Sequence, residues 1–370
     1  MTHPPGTDAQ LSAILSLPAL YIQGPGAISR LGECVMSLGR HALFVSDRDV
    51  GKRFAAQAAA SVEASGVSFH AALFDGDVTR NTVAMLLADA RALQPAIDVV
   101  IAAGGGKGID AGKAVASALG VALVTLPTAA SNDGPGSRVF LFYDEQHRLE
   151  SVERLPRNPD AVVVDTSILA AAPVSFLIAG IGDAIAKRWE AEQCIGADRP
   201  NLLGGRATLT ALSLARASDQ TLRVHGVAAL RAARSGRPDA SFEAVIEASI
   251  LMAGIGFEGC GLSVAHSMTR GLTALPPTAA AAHGVQIAYA LLVQFLLEER
   301  DAPFMRAQFD FHASIGLPTR LAGLGLPNPS ATDLSTIARL TCQAPHIANF
   351  SRPLSEADLV DAMRRLESMH

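Results

Sequence analysis

The segment Ile97–Gly108, with the sequence IDVVIAAGGGKG, decides the fold of this chain. Residues 97–103 are apolar except for Asp98, which is typical of a strand buried in a parallel sheet. A glycine-rich turn follows at once, and helical sequence begins at Ile109. This order of strand, glycine turn and helix brings backbone N–H groups and the helix dipole to a phosphate. Candidate phosphate-binding residues are therefore Gly104, Gly105, Gly106, Lys107 and Gly108.

The signals for a nucleotide site are incomplete. The Walker pattern is absent, which disfavours ATP, and the dinucleotide fingerprint fits only loosely as Gly106-x-Gly108-x-x-Ala111. A turn without a ligand explains one or two glycines, whereas four in five residues favour phosphate binding. Asp47 closes an earlier predicted strand, where it can accept hydrogen bonds from a ribose, although a helix N-cap is the commoner role there.

Strands and helices alternate on both sides of this loop. Predicted strands are His41–Ser46, Val67–Phe74, Ile97–Ala103, Ala122–Leu126 and Ala161–Asp165. Predicted helices between them are Gly51–Ala64, Arg80–Leu93 and Ile109–Leu119. A β-hairpin is predicted for Phe140–Tyr143 and Leu149–Val152, joined by the polar residues Asp144–His147. The alternation predicts a parallel sheet covered by helices on both faces.

Helices dominate the rest of the chain. They are predicted at Phe176–Cys194, Leu209–Ala217, Phe242–Ile255, Leu262–Arg270, Val285–Glu299 and Glu356–Glu367. We place the boundary near Asp165, with an α/β domain over residues 1–165 and an all-helical domain over residues 166–370. Enzymes often hold ligands in the cleft between two such domains.

The composition excludes several classes of protein. The 370 residues carry a net charge of −5, and 49% are hydrophobic, which is too apolar for disorder. The mild acidity argues against a nucleic-acid or anionic-membrane surface. Four cysteines lie far apart, as expected of free thiols in a reducing cytoplasm. Residues 1–10 lack a signal-peptide pattern, and no stretch approaches the roughly 18 apolar residues that span a bilayer, so we expect a soluble cytoplasmic protein.

Three side chains in the helical half form a candidate metal site. Asp183 lies in an apolar helix start, where an uncompensated carboxylate is costly to bury. His266 and His283 are separated by Pro276-Pro277, so they belong to different helices, which can converge. One carboxylate and two imidazoles leave a metal position open for a substrate. Taken singly, each residue is more often structural: a helix acid, a core histidine and a cap.

Six segments resemble, in the same order, those of the glycerol dehydrogenases. These enzymes belong to the iron-containing alcohol dehydrogenase superfamily, which shares the dehydroquinate synthase-like fold. The segments are GGGKGIDAGKA (104–114), LPTAASNDGP (126–135), RLPRNPDAVVVDTSIL (154–169), AGIGDAIAKRWEAE (179–192), GFEGCGLSVAHSMTRGLTALP (256–276) and HG (283–284). The resemblance begins at Tyr21 and spans nearly the whole chain. The combination is specific, whereas the GGGK turn alone is not.

The resemblance implies a Rossmann-like N-terminal domain that binds NAD and a helical domain that holds a divalent metal, usually zinc, with iron as the alternative. It implies hydride transfer between a small polyol and the nicotinamide, and a homo-oligomer, because relatives are often multimers. The implied catalytic residues are Asp133, which lies beside the polyol, and the metal ligands Asp183, His266 and His283. The implied cofactor contacts are Asp47, Gly104–Gly108, Thr128, Ser131, Ser137, Val139 and Tyr143.

Three positions depart from the family pattern and leave the substrate open. Gly108 replaces a hydroxyl residue, and Val285 stands where an acid often follows His-Gly. Arg138 replaces a small residue near the nicotinamide; it is more often a solvated charge, and alternatively it receives a carboxylate or phosphate. The stretches GIGDAIAK and GLSVAHSM favour glycerol or a similar vicinal diol. Glycerol 1-phosphate and a hydroxycarboxylate are the alternatives.

Two further hypotheses change the chemistry. A lyase of the dehydroquinate synthase type needs several cations facing the cleft, yet only Lys187, Arg188 and Arg270 lie near the candidate ligands. A diverged NAD-binding module that senses redox state ranks last, because the glycine loop and the ligand positions are intact. Asp47 favours NAD over NADP, since a carboxylate repels a 2′-phosphate.

Overall fold

The computed structural model describes residues 11–146 and 148–369. Residues 1–10, where a signal peptide would lie, and His147, in the predicted hairpin connection, are outside the described residues. All eight strands found within these ranges precede residue 166, and the described chain after it is helical or irregular. This arrangement confirms the predicted fold class, an α/β region followed by a helical region.

Six parallel strands form the central sheet, in the spatial order β1-β8-β5-β4-β2-β3. Their bounds are β1 (Tyr21–Gly24), β2 (His41–Asp47), β3 (Ser68–Phe74), β4 (Val99–Gly104), β5 (Ala122–Pro127) and β8 (Ala161–Asp165). The strand β4, which leads into the glycine loop, is buried along its whole length, as its apolar sequence predicts. The edge strand β1 was not predicted, because its four residues YIQG are too few to show a period.

Helices cover both faces of the sheet. One face packs against α1 (Leu31–Leu38) and α2 (Arg48–Ala64), and the other against α3 (Arg80–Ala92) and α4 (Gly106–Leu119). Along β2, Phe44 points into the first of these cores and Val45 into the second. Because successive side chains of a strand point to opposite faces of the sheet, one strand contributes residues to both cores.

The chain changes direction across the sheet between β2 and β4. From β2 it moves outward to the edge strand β3, and from β4 it moves the other way to β5. In open parallel sheets, ligands bind beyond the carboxyl ends of the strands at such a switch point. Asp47 ends β2 and Gly104 ends β4, so both residues lie there.

A two-stranded antiparallel ribbon extends from this region. It consists of β6 (Val139–Tyr143) and β7 (Leu149–Arg154) and confirms the predicted hairpin. The guanidinium of Arg80 lies 3.7 Å from the ring centroid of Phe142. The ribbon is thereby attached to α3.

Eleven helices build the C-terminal region that the structure describes. They are α5 (Thr166–Ala170), α6 (Val174–Gly196), α7 (Leu209–Ser235), α8 (Ala240–Glu247), α9 (Ala253–Cys260), α10 (Val264–Leu272), α11 (Pro276–Ala279), α12 (His283–Leu297), α13 (Ala302–Ile315), α14 (Ala331–Cys342) and α15 (Glu356–Ser368). Their shared core centres on α6 and the almost fully buried α12.

Two sequence expectations about this region are wrong. The helix predicted at Leu209–Ala217 continues to Ser235, because polar residues in its middle have partners on neighbouring helices: the Ser218 hydroxyl donates to the Ala248 carbonyl at 2.9 Å. The helix predicted at Phe242–Ile255 is part of a longer run, Ala240–Cys260, because a π-helical turn joins α8 and α9. This run is long and apolar enough to cross a membrane, whereas no such stretch was expected from the sequence. Its most apolar window is 61% buried within the protein, as in a core helix.

Candidate metal centre and cofactor cleft

Asp183, His266 and His283 come from three helices and meet at one point. One ligand atom from each lies within 4.8 Å of the other two. The Asp183 Oδ1 atom is 3.3 Å from Nε2 of His266 and 3.8 Å from Nε2 of His283. Asp183 is buried in the middle of α6, whereas the side chain of His283, at the first residue of α12, is 49% exposed. The group therefore has a closed side in the core and an open side.

Glycines bring two of these helices into contact. A Cβ on Gly284, the residue after His283, would lie 1.8 Å from the Ala179 carbonyl oxygen of α6. A Cβ on Gly182, the residue before Asp183, would lie 2.4 Å from the Gly284 carbonyl oxygen. The backbones of α6 and α12 approach this closely only without side chains at both places. Gly182, next to Asp183, and Gly284, next to His283, thus pack against each other and hold the two predicted ligands close together.

Glu190 fixes the orientation of His266. Its Oε1 atom accepts the backbone N–H groups of Ser263 and His266 at 2.8 and 2.9 Å, and its Oε2 atom hydrogen-bonds to the His266 ring at Nδ1. The ring proton therefore sits on Nδ1, which leaves the lone pair of Nε2 directed at Asp183. A carboxylate behind a ligand histidine is a common feature of metal sites.

A buried ammonium group lies inside this cluster. The Nζ atom of Lys187 is 2.8 Å from Asp183 Oδ1, 2.9 Å from His266 Nε2 and 3.2 Å from Asp133 Oδ2. The Lys187 side chain is 2% exposed, and Nζ also lies 5.1 Å from the ring centroid of Phe257. Asp133 therefore reaches the predicted ligands through Lys187.

The charges in the cluster shift one another's proton affinities. Burial alone would raise the pKa of Asp183, but the Lys187 ammonium and the imidazoles outweigh it and hold the pKa below its usual value. Burial raises the pKa of Asp133, and Lys187 opposes that rise only in part. Burial would lower the pKa of His266, but the Glu190 and Asp183 carboxylates outweigh it and raise that pKa. The site thus favours an ionised Asp183, the protonation state that binds a cation.

This donor set fits a divalent metal ion. One carboxylate oxygen and two imidazole nitrogens are ligands that zinc and iron accept, and three protein ligands leave a coordination position for a substrate. The open side of the group at His283 gives that position access. The three residues present therefore match the chemistry of a catalytic metal site.

The glycine loop and Asp47 face each other at the switch point. Asp47 caps α2, since its Oδ1 atom accepts the Val50 N–H at 2.9 Å. Its second oxygen faces the loop, because a Cβ on Gly104 would lie 3.5 Å from it. Gly104 has a φ of +143°, a conformation that favours glycine. Asp47 is thus the helix N-cap that the sequence analysis gave as its commoner role, and its Oδ2 atom is available to a ligand.

The helix α4 begins inside the glycine loop. Gly105 is its N-cap, so Gly106, Lys107 and Gly108 form its first turn instead of preceding it. A Cβ on Gly108 would lie 2.1 Å from the Ala103 carbonyl oxygen, so Gly108 permits the helix to pack on β4. Lys107 is half-exposed and its Nζ pairs with Asp77 Oδ1 at 2.5 Å. The first turn therefore offers backbone N–H groups to a phosphate.

The segment after β5 connects the glycine loop to the metal candidates. The Thr128 N–H donates to the Gly104 carbonyl at 2.9 Å, and Asn132 lies 3.4 Å from the Cβ position of Gly106. Ser131 is half-buried on the same stretch, and Asp133 follows it. The segment 128–133 thus links the glycine loop to Lys187 and the metal candidates.

Comparison with known proteins agrees with this geometry. The family described as iron-containing alcohol dehydrogenase matches residues 22–173. A glycerol dehydrogenase of Thermotoga maritima is 35% identical over 348 residues, 94% of this chain and 94% of that protein. A glycolaldehyde reductase of Halobacterium salinarum is 33% identical over 360 residues, 97% of this chain and 98% of that protein. The chain belongs to the iron-containing alcohol dehydrogenase family.

A solved structure of the same family gives the same result. A probable glycerol dehydrogenase from Sinorhizobium meliloti superposes with a TM-score of 0.90 at 33% identity, covering 96% of this chain and 99% of that chain. The resemblance drawn from the six sequence segments is therefore confirmed over the full fold.

Lys113 holds the other predicted cofactor contacts of this iron-containing alcohol dehydrogenase in place. Its buried Nζ donates to the carbonyls of Gly134 and Val139 at 2.6 and 2.7 Å. The hydroxyl of Ser137 is 3.4 Å from the same Nζ and is itself buried. Tyr143 ends β6, where burial raises its pKa to about 12. The contacts of Lys113 with Ser137 and Val139 thus fix the conformation of the segment that also carries Asp133.

Glu258 attaches the same segment to the helical region. Its carboxylate accepts the Arg138 backbone N–H at 2.7 Å and the Asn158 amide at 2.6 Å. The Arg138 guanidinium is half-buried instead of fully solvated: Nη1 lies 3.4 Å from the Pro156 carbonyl oxygen, whereas the buried Nε has no hydrogen-bond partner among the described residues. Its role as an anion receptor stays a prediction. Val285 is half-buried next to Gly284.

Sequence reasoning noted Lys187 only as a cation near the candidate ligands and missed Glu190 altogether. Together with Asp183 they follow a spacing of four and then three residues, which places all three on one face of α6. Three charged side chains on one stripe of a helix whose first two turns are apolar were the signal. Lys113 and Glu258 had no such signal, because their partners are backbone groups and residues distant in sequence.

Proposed function

We propose that this member of the family is an NAD-dependent, metal-dependent oxidoreductase that transfers a hydride between a small polyol and the nicotinamide. The observation that carries the proposal is the convergence of Asp183, His266 and His283 at one point, which the segment carrying Asp133 connects to the switch point of the sheet. Two relatives support the substrate class, since glycerol and glycolaldehyde both carry oxygen atoms on adjacent carbons. A vicinal diol is therefore the proposed substrate.

NAD would lie along the carboxyl ends of β2, β4 and β5. The first turn of α4 would receive the pyrophosphate with its N–H groups, and the free oxygen of Asp47 would accept a ribose hydroxyl. The same carboxylate repels the 2′-phosphate of NADP. Bound there, the nicotinamide supplies the acceptor for a hydride.

The metal would be held by Asp183, His266 and His283, and we propose that it is zinc. Imidazole and carboxylate ligands with an open position are typical of catalytic zinc, and Fe(II), which binds a similar set, is the alternative. A divalent ion there supplies positive charge that stabilises an alcohol oxygen as it loses its proton. Elemental analysis of protein purified without added metal distinguishes zinc from iron.

The residues around the proposed substrate position have separate tasks. Glu190 orients His266, and the ring of Phe257 lies nearly parallel to that of His266, with the two ring centroids 6.5 Å apart. Asp133, with its buried carboxylate against Lys187, lies at the border between the nicotinamide side and the metal side. Oxidation removes a hydride from carbon and a proton from the hydroxyl, so a diol and NAD⁺ yield a hydroxy-carbonyl compound, NADH and one proton.

The lyase alternative and a phosphorylated substrate have less support. A phosphate group needs free cations, and the three near the candidate ligands are engaged. Lys187 bonds to Asp183, His266 and Asp133, while Arg188 pairs with Asp219 at 2.9 Å. Arg270 donates to the Gln343 carbonyl at 3.1 Å. A neutral polyol needs no free cation at the site.

The test is a turnover screen with purified protein. Glycerol and 1,2-propanediol with NAD⁺, and glycolaldehyde with NADH, are monitored through the absorbance of the reduced cofactor, with 2-hydroxy acids and glycerol 1-phosphate in parallel. We expect diol activity that exhaustive chelation abolishes and zinc restores. Activity that survives chelation, or that persists in an Asp183→Ala/His266→Ala variant, would contradict the metal role.

We also propose that the protein acts in the cytoplasm as a homo-oligomer. Exposed apolar side chains on α7 support a self-contact: Leu209 is 85% exposed and Val224 is 67% exposed. Light scattering on the purified protein measures the mass directly, and a monomeric mass at micromolar concentration would refute the oligomer.

A further inference from the structure

Lys187 occupies a complete binding site for an ammonium group. An ammonium has three N–H donors, and three acceptor atoms lie near Nζ: it hydrogen-bonds to Asp183 Oδ1 at 2.8 Å and to His266 Nε2 at 2.9 Å, and it forms an ion pair with Asp133 Oδ2 at 3.2 Å. The side chain is 2% exposed, and burial at this depth is costly for an unpaired charge. Two of its donors are therefore used by Asp183 and His266, and the charge is also balanced by Asp133.

Two of these three acceptors are the proposed metal ligands. Because Nδ1 of His266 carries the proton that faces Glu190, Nε2 has a single lone pair. That lone pair accepts the Lys187 N–H at 2.9 Å. A metal ion that binds His266 needs the same lone pair, so metal and ammonium exclude each other at this atom.

The third acceptor provides a place for Lys187 when the metal is bound. Asp133 contributes a buried carboxylate whose Oδ2 atom lies 3.2 Å from the ammonium as an ion pair and has no hydrogen-bond partner among the described residues. Asp133 is not among the three proposed ligands, so this contact is compatible with an occupied metal site. A second cation so close to a metal ion still repels it.

The charge balance explains why a lysine is tolerated here. Asp133, Asp183 and Glu190 are three buried carboxylates within one cluster. Without a metal, Lys187 is the cation that contacts Asp133 and Asp183 directly. Removing a single partner from such a buried group leaves the others uncompensated, which is strongly destabilising.

From these contacts we infer that Lys187 is the resident cation of the metal-free site. It competes with the divalent ion for Asp183 and His266, and it remains on Asp133 once the ion has bound. Lys187 thereby weakens metal binding and stabilises the metal-free protein, so that the metal of this enzyme is exchangeable. This inference rests on the metal centre proposed above.

The experiment measures zinc binding to Lys187→Met by chelator competition. Removing the competing ammonium tightens zinc binding by about 10-fold to 100-fold, the size expected for one charge-assisted hydrogen bond. The same change lowers the thermal midpoint of the metal-free protein and enlarges the rise that zinc produces. Arg188→Met is the matched control: it removes a cation from the next position of α6 that pairs with Asp219, and its zinc affinity stays that of the wild type.

If Lys187→Met does not accumulate in folded form, Lys187→Gln purified with zinc takes its place. Wild-type crystals grown with and without zinc give an independent measurement. Without zinc, Nζ bonds to both Asp183 and His266; with zinc, only the Asp133 contact remains.

The inference is overturned by zinc affinity within twofold of the wild type in either variant, by an equal change in Arg188→Met, or by metal-free crystals in which Nζ avoids His266. Wild-type protein that binds no zinc would instead refute the metal centre itself.

Discussion

The carboxylate of Glu190 contacts His266 twice, accepting its backbone N–H at 2.9 Å with Oε1 and bonding to its ring Nδ1 with Oε2. Both contacts come from a residue two helical turns after Asp183 on α6. The helix that supplies one proposed ligand therefore also orients another.

Replacing Glu190 with glutamine should weaken metal binding. The amide N–H group would face the ring at Nδ1, so the ring proton would move to Nε2 and block the lone pair aimed at the metal. We expect the zinc Kd to rise by about 10-fold to 100-fold, the usual effect of losing such a partner. Chelator competition measures it, and Glu192→Gln, whose carboxylate pairs with Arg216 at 2.8 Å, is the control on the same helix. Equal affinities for Glu190→Gln and the wild type would show that Glu190 does not orient the ligand.

Replacing Gly284 with alanine tests the contact between α6 and α12. Its Cβ would lie 1.8 Å from the Ala179 carbonyl oxygen, so the start of α12 and with it His283 must move. We expect a loss of about 1–3 kcal/mol of stability, as for other overpacked sites, together with weaker zinc binding. Gly196→Ala at the end of α6 is the control, because nothing lies within 4 Å of its Cβ position. A fall in thermal midpoint that is the same in both variants would contradict this account.

The sequence predicted the fold where its signal was local. The apolar run of β4 and the glycines after it identify a buried strand and a helix start, because burial and backbone conformation restrict the residues at those positions. The order of the strands has no such local signal. Only the structure showed that Asp47 and Gly104 end neighbouring strands at the switch point.

The candidate site was likewise predictable only where its sequence signal was local. Asp183, His266 and His283 were proposed as a set, yet the geometry also depends on Lys187 and Glu190, whose partners lie on other helices. The division into two domains at residue 165 stays a prediction, since a change from strands to helices does not show that each part folds alone.

Asp47 should decide between the two nicotinamide cofactors. Asp47→Asn keeps an oxygen that can cap α2 at the Val50 N–H but removes the charge that repels a 2′-phosphate. We expect the ratio of kcat/KM for NADP to that for NAD to rise by about 10-fold or more, equivalent to about 1.4 kcal/mol, with little change in thermal midpoint. Steady-state kinetics with both cofactors measure the ratio. An unchanged ratio would mean that the ribose lies away from the carboxyl end of β2.

Asp110 on α4 should make stability fall as the pH rises. Burial raises its pKa to about 7, although Lys113 and a backbone hydrogen bond at Leu141 oppose the rise. The unfolded chain releases this proton near pH 3.9, so between about pH 4 and pH 7 the folded protein binds more protons and loses stability with increasing pH. Asp110→Asn has no proton to lose. The thermal midpoint of this variant minus that of the wild type should therefore increase as the pH rises from about 4 to about 7, and it should stay level at higher pH. Thermal melts at several pH values measure the difference, with Asp49→Asn as the control because that side chain is 92% exposed. A difference between Asp110→Asn and the wild type that does not vary with pH would show that Asp110 is ionised in the folded protein throughout.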